Sequence, residues 1–543
     1  MTFFKGVIRA AFVLPFSAGN VDEGNGSHDG SLSGLLLMTT SIAILSEILM
    51  IGFSTNETIS TKFSVGLAVL SFLSALAIAL CVCISLYVSS RGNSVFHVLP
   101  WNKCNTIRLR FLWIFCFSCI ISRTLDMTFY IDCLTNSMTL KFTVDTIVYD
   151  LVCIVFYVVQ TAFITFFSHS RFTSHLGIYY GLLIIFLTNI SVICHALAST
   201  FKPMDNEILN SSTISHHTSS NTSCFKSSMY EVLMKINPFL LPAFCEYSLV
   251  SITFIMNMWP TFGLKRETFV LDDISLDGNK ETSESTSNLR GSTNERSEST
   301  NSRRNNERIP LLDNTGNTSN NRQHRIRRFI SITVPILLNM PSVILYCLQI
   351  SKVPSVQLGK TISIAVVATI ELLLYVKCFY SLQTQCKPLK QRECTSLDSS
   401  DYILIASVVA AISYSTVKLM SDIYNVNSET TYAIGFYKLV IDIFAAYFQT
   451  VFILQMKQYS KAFNISSWTS VEYTCLLMSF VNLCSWAADT LIVSQYVYKN
   501  DAPYHFFGSS DWTEIFGFLY PFVIFYRFNA FVSFYGLYDR LKN

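Results

Sequence analysis

The residues of this chain that could do chemistry are ionisable and hydrogen-bonding side chains set inside segments apolar enough to cross a membrane. The clearest is Glu246, in PFLLPAFCEYSLVS (Pro238 to Ser251), which has no Lys or Arg three or four residues away on the same helix. A lone carboxyl in apolar surroundings is expected to bind and release protons near neutral pH, because burial disfavours its charged form. Pro242, four residues earlier, removes a backbone hydrogen bond and opens the helix locally. A charge at a helix centre costs about 2.5–3.5 kcal/mol on insertion scales, so intramembrane charges need partners or water. Arg123 and Asp126 are three apart, and Lys418 with Asp422 and Lys438 with Asp442 are four apart, so each pair can neutralise itself on one helix face. Such pairs read as structural. Glu246 reads as functional.

The Glu246 segment has an echo near the C-terminus, YPFVIFYRFNAFVS (Tyr520 to Ser533), in which Pro521 and Tyr526 repeat the spacing of Pro242 and Tyr247 and Phe525 stands where the first copy has Glu246. Upstream of each lies a second shared pattern, VVQTAFI with Gln160 and YFQTVFI with Gln449, and between the two patterns sits Asn189 or Asn482. The order Gln, Asn, Pro-Tyr therefore occurs twice. These side chains donate and accept hydrogen bonds without ionising near neutral pH. Such a set can lock three helices together or close a narrow water path, and the residue types fit both.

The elements that carry these residues follow from composition. The chain is 51% hydrophobic and 14% aromatic with only 14% charged residues, against about 25% charged in an ordinary soluble domain. Apolar windows of the roughly 20 residues that cross a bilayer as a helix recur twelve times, the first near 33–53, the sixth near 238–260 and the last near 512–537. The expected fold is all-α, a polytopic membrane protein of twelve transmembrane helices in two similar six-helix halves. A net charge of +3 is too small to suggest a nucleic-acid partner.

One composition break divides the chain. Residues 261–328 are rich in Ser, Asn, Thr, Glu and Arg and cannot bury enough apolar surface to order themselves. The organisation expected is a tail over 1–32, a six-helix half over 33–260, this cytoplasmic linker over 261–328, a second half over 329–538 and a short tail over 539–543. Six spans per half give both halves the same orientation, a parallel repeat. The basic end of the linker, RQHRIRRF (Arg322 to Phe329), is placed to meet anionic lipid.

Arg9 interrupts the apolar run at the N-terminus, which argues against a cleaved signal. The bias of Arg91, Lys103, Arg108, Arg171, Lys387, Lys390, Arg392 and Lys461 toward one set of loops puts both termini in the cytoplasm. The sequons at Asn56, Asn210 and Asn221 then face outward as glycosylation sites, whereas Asn317 and Asn464 face inward. His216, His217 and His505 also lie in outer loops, and with an ordinary pKa of about 6.5 they are candidate acid sensors and possible ligands for inhibitory Zn²⁺.

Most of the sixteen cysteines fall within spans and read as small apolar residues, leaving Cys133 and Cys224 as the pair that could meet outside. No Walker loop, HExxH or GxSxG occurs, so neither an enzyme nor a bound cofactor is expected.

The motifs together resemble those of the otopetrins, a family of proton-selective channels. FYR (Phe525 to Arg527) in a final span after Trp512 and Pro521, EYSL (Glu246 to Leu249) after a proline-rich entry, LTN (Leu187 to Asn189), and QT with aromatic neighbours follow in the family's order. The resemblance implies a homodimer of twelve-helix subunits, with Gln160, Asn189 and Tyr247 as one constriction, Gln449, Asn482 and Tyr526 as another, and Glu246 affecting permeation. Arg527 and Asn529 join that pathway, although the family commonly has His where this chain has Asn529. The function implied is proton conduction across the plasma membrane, opened by extracellular acid. A proton-coupled transporter of the major-facilitator type also has twelve spans in two parallel halves. The loop Ser89 to Arg108 lacks that fold's Gly-x-x-x-Asp-Arg cluster.

Overall fold

The computed structural model of the chain describes residues 20–21, 28–29, 41–42, 45, 59–92, 95–99, 103–135, 140–172, 176–200, 228–259, 315–350, 356–388, 399–424, 429–457, 459–461, 471–493, 506–507 and 509–542. The first half contains α1 (Ile59–Arg91), α2 (Lys103–Thr135), α3 (Leu140–Phe167), α4 (Leu176–Thr200) and α5 (Ser228–Met258). The second contains α6 (Thr315–Ile350), α7 (Val356–Gln385), α8 (Ser399–Tyr424), α9 (Glu429–Met456), α10 (Val471–Ala488), ending in a π-helical turn (Asp489–Val493), and α11 (Ser509–Lys542). Among the described residues ten helices are long and apolar enough to span a membrane, which makes the chain an all-α polytopic membrane protein. The eleventh long helix is α5, whose side chains from Pro242 to Ile255 are all buried. Of the expected first span, 33–53, only Ser41, Ile42 and Leu45 belong to the described residues.

The halves repeat each other. α1 packs on α3 and α4, α2 on α3 and α5, and α4 on α5; α7 packs on α9 and α10, α8 on α9 and α11, and α10 on α11. Each half also has a two-stranded antiparallel ribbon at the same end. In the first, β1 (Phe96–Val98) pairs with β2 (Ser170–Phe172) in the register Phe96↔Phe172, His97↔Arg171, Val98↔Ser170. In the second, β3 (Cys386–Pro388) pairs with β4 (Tyr459–Lys461), from Cys386↔Lys461 to Pro388↔Tyr459. Three-residue strands in loops leave no periodic trace in sequence, so only the structure exposes this second mark of the duplication. Gly92, at φ 64°, supplies the left-handed residue that ends α1 before the first ribbon.

One boundary differs from expectation. α6 reaches back to Thr315, so the last fourteen residues of the segment 261–328 are helical rather than structureless. Tertiary contacts override their polar composition: Arg327 is buried with its guanidinium 5.8 Å from the ring centroid of Tyr473 on α10, and His324 hydrogen-bonds the Tyr473 hydroxyl.

Ion pairs fasten the ribbon end. Lys457 at the end of α9 reaches Asp401 at 2.6 Å, and Lys103 at the start of α2 reaches Asp539 near the end of α11 at 2.6 Å. Arg540 donates to the backbone carbonyls of Met456, Lys457 and Tyr459, which satisfies acceptors that the end of α9 leaves without an intrahelical partner.

Candidate functional site

Two hydrogen-bonded layers, one per half, match nearly atom for atom. In the first, Gln160 Nε2 on α3 donates to Asn189 Oδ1 on α4 at 3.0 Å, and Asn189 Nδ2 is held by the Ile185 carbonyl at 2.8 Å. Tyr247 on α5 closes the layer: its hydroxyl lies 3.1 Å from Thr161 Oγ1 and donates to the Tyr157 carbonyl at 3.1 Å. In the second, Gln449 on α9 donates to Asn482 on α10 at 3.0 Å, Asn482 to the Met478 carbonyl at 2.9 Å, and Tyr526 on α11 bonds Thr450 at 3.3 Å and the Ala446 carbonyl at 3.0 Å. All six side chains are buried. The sequence repeat therefore marks a real structural unit, three helices joined by neutral hydrogen-bonding groups in each half.

The layers differ at one atom. Gln449 Oε1 accepts a hydrogen bond from the hydroxyl of Tyr375 on α7, whereas Gln160 Oε1 is buried with no partner among the described residues. Leaving a buried acceptor unsatisfied costs about 1–3 kcal/mol. Tyr375→Phe is accordingly expected to lower the stability of the purified protein by about that amount. Thermal unfolding in detergent reads the loss, and no change would show that water takes the place of the Tyr375 hydroxyl.

Glu246 belongs to neither layer. Successive residues of an α-helix project about 100° apart, so while Tyr247 faces the interior of the first half, Glu246 faces the seam between halves. There it accepts a hydrogen bond from the indole N–H of Trp486 on α10. Among the described residues no Lys or Arg forms an ion pair with it, in line with its isolation along the sequence. Trp486 sits in an aromatic cluster shared by both halves, with ring centroids 5.5 Å from Phe111, 6.1 Å from Phe115 and 6.0 Å from Phe528.

Polar groups continue along this seam to the ribbon end. Past the aromatic cluster, Arg108 Nη2 on α2 donates to Asn529 Oδ1 on α11 at 3.3 Å, both residues buried. Further on, the Cys104 thiol lies 3.8 Å from the Val532 carbonyl, and Lys103 pairs with Asp539. A Cβ on Gly536 would meet Cys104 Sγ at 2.5 Å, so glycine there lets α11 approach α2. Asn529 thus faces the seam beside Arg108, not the interior of the second half. On α2 the seam residues Cys104, Arg108, Phe111 and Phe115 recur at three- and four-residue steps, one helix face that could have been read from the sequence.

The remaining intramembrane charges pair both across helices and along one helix. Arg123 lies 3.2 Å from Asp150 on α3 and 3.8 Å from Asp126 on its own helix, so its nearer partner is the one that helical spacing does not reveal. Its guanidinium lies 4.6 Å from the Phe244 ring centroid and 5.2 Å from that of Tyr149, whose hydroxyl meets His195 Nδ1 at 3.3 Å. Arg527 reaches Glu371 on α7 at 3.4 Å, outside the Tyr526 layer. Lys438 and Asp442 form the expected same-helix pair at 2.7 Å.

His216, His217, His505, Asn56, Asn210, Asn221 and Cys224 lie outside the described residues, as does the side chain of Cys133. Among the described residues no group of His, Cys, Asp and Glu is placed to hold a metal ion.

No curated protein matches the chain. The otopetrin family model matches residues 195–528, more than half of the sequence, a stretch that holds Glu246, its partner Trp486, and Gln449, Asn482 and Tyr526 of the second layer. The chain belongs to the otopetrin family, a family of proton channels.

Proposed function

We propose that this protein is a proton-selective channel of the plasma membrane that conducts H⁺ down its gradient and is opened by extracellular acid. The observation that carries the reading is Glu246: a titratable group inside the bundle whose hydrogen-bond partner is a neutral indole rather than a cation. A carboxyl neutralised by Arg is fixed in its charged state, whereas one held by a neutral donor can cycle between forms. The two Gln-Asn-Tyr layers offer no group that ionises near neutral pH. The seam offers Glu246 together with the polar residues Arg108, Asn529, Lys103 and Asp539, and we assign proton passage there, with the layers as seals of the two interiors.

Both termini then face the cytoplasm, the ribbon end is the cytoplasmic end, and Asn56, Asn210 and Asn221 are open to glycosylation. The functional unit is a homodimer. His216, His217 and His505 are the proposed acid sensors and the ligands for inhibitory Zn²⁺. Their joint replacement by Ala is expected to shift activation to lower external pH and to relieve zinc block. If both stay as in the parent, the histidines have no such role.

The channel reading is tested with purified protein in liposomes loaded with a pH-sensitive dye, under a proton gradient and with no organic solute. Continuous acidification that scales with the gradient is expected. Flux that needs an added solute and saturates with it would instead indicate a coupled transporter.

A further inference from the structure

We propose that Arg322, Arg325 and Arg328, at the start of α6, form a binding site for the phosphorylated headgroup of an anionic phospholipid. This inference does not depend on how protons cross the protein. α6 runs unbroken from Thr315 into a membrane span, so the three guanidiniums stand on a continuous helix directly before its apolar part. They occupy about 9 Å of helix axis at 1.5 Å per residue, a span that one headgroup and its neighbours can cover.

Arg327 is buried over Tyr473 and His324 bonds the same tyrosine, which holds this stretch against the bundle, while Arg322, Arg325 and Arg328 are exposed. Between them stand apolar residues with no protein cover: Ile326 is 44% exposed and Phe329 67%. Guanidiniums alternating with bare apolar side chains are unsuited to water or to a folded partner's core. They fit the boundary of a bilayer, where headgroups meet acyl chains.

The residue types narrow the ligand. From Arg322 to Arg328 the basic residues are four Arg and one His, without a single Lys. Diffuse attraction to a negative surface is served equally by Lys, whereas the planar fork of Arg matches phosphate oxygens in pairs. Arg328 donates a hydrogen bond to the Tyr538 hydroxyl and interacts electrostatically with Tyr473, which positions its guanidinium at the edge of the bundle. Among the described residues the acidic group in the same electrostatic neighbourhood is the buried Glu472, one carboxyl against four arginines. A headgroup bearing phosphate monoesters is therefore the expected ligand, in preference to a serine headgroup.

Full-length protein in phosphatidylcholine nanodiscs doped with a phosphatidylinositol bisphosphate, or separately with phosphatidylserine, tests this by native mass spectrometry of retained lipid. The parent should retain the bisphosphate lipid and release phosphatidylserine. Replacing the three arginines by Gln, with Arg327 kept, should weaken retention about hundredfold, and replacing them by Lys should restore only part of it. Elution profile and unfolding temperature check that the variants fold, and R325Q alone, with an expected loss of about fivefold, serves if the triple variant does not. Equal retention of both lipids, full rescue by Lys, or unchanged binding by the Gln variants would each overturn the assignment.

Discussion

Glu246→Gln is expected to remove most of the acid-evoked current at unchanged surface expression. A positioned group that gives and takes a proton contributes about 10²–10⁴-fold to proton-transfer rates, and after allowing for residual passage by water we expect a loss of about tenfold or more. Gln is nearly isosteric with Glu and can still accept from the Trp486 indole, so neither a cavity nor a lost hydrogen bond would explain the effect. Phe525, at the matching position of the second half, has no titratable group, so the echo cannot compensate. Whole-cell current normalised to biotin-labelled surface protein decides the matter. A variant conducting like the parent, combined with silence on Gln449→Leu or Asn482→Leu, would move the path from the seam into the second half.

Arg123→Gln is expected to cause the largest loss of stability. It would leave Asp150, 3.2 Å away and itself buried, facing Asp126 without a cation between them. Removing one partner of a buried ion pair costs about 3–5 kcal/mol, whereas replacing both partners with uncharged groups of similar size is often neutral. The single variant should therefore be retained inside the cell and unfold at lower temperature once purified. Adding Asp150→Asn should recover a substantial part of both. Parent-like stability of Arg123→Gln would mean that Asp150 is neutral in the native protein. Arg527, paired with Glu371 in the second half, is 23% exposed at its side chain, and its removal should cost less.

What could be read from the chain depended on whether the signal lies along a helix or between helices. Gln160, Asn189 and Tyr247 repeat in type and order as Gln449, Asn482 and Tyr526, and membrane length with apolar content brings their helices into view, so both layers were legible. The ends of the Glu246–Trp486 bond are 240 residues apart and those of Arg108–Asn529 are 421 apart. Hydropathy says that these helices cross a membrane but not which of them touch, and thus the seam stayed hidden. The same limit hides Asp150, the nearer partner of Arg123, while the Asp126 pair that helical spacing reveals is present at 3.8 Å. Likewise the early start of α6 at Thr315 depends on Tyr473, far along the chain, and polar composition alone reads as coil. The position of Asn529 shows how a repeat can mislead: it lies beside the Tyr526 layer in sequence, yet its side chain meets Arg108 in the first half.

Proton selectivity of the proposed channel is read from the reversal potential of the acid-evoked current. With external pH stepped at constant internal pH and without added solute, a shift of about 59 mV per pH unit is expected, the value for a single-charge ion. Replacing Na⁺, K⁺ or Cl⁻ should leave that potential unmoved. A reversal potential that follows one of those ions, or a current that appears only with an organic solute, would contradict it.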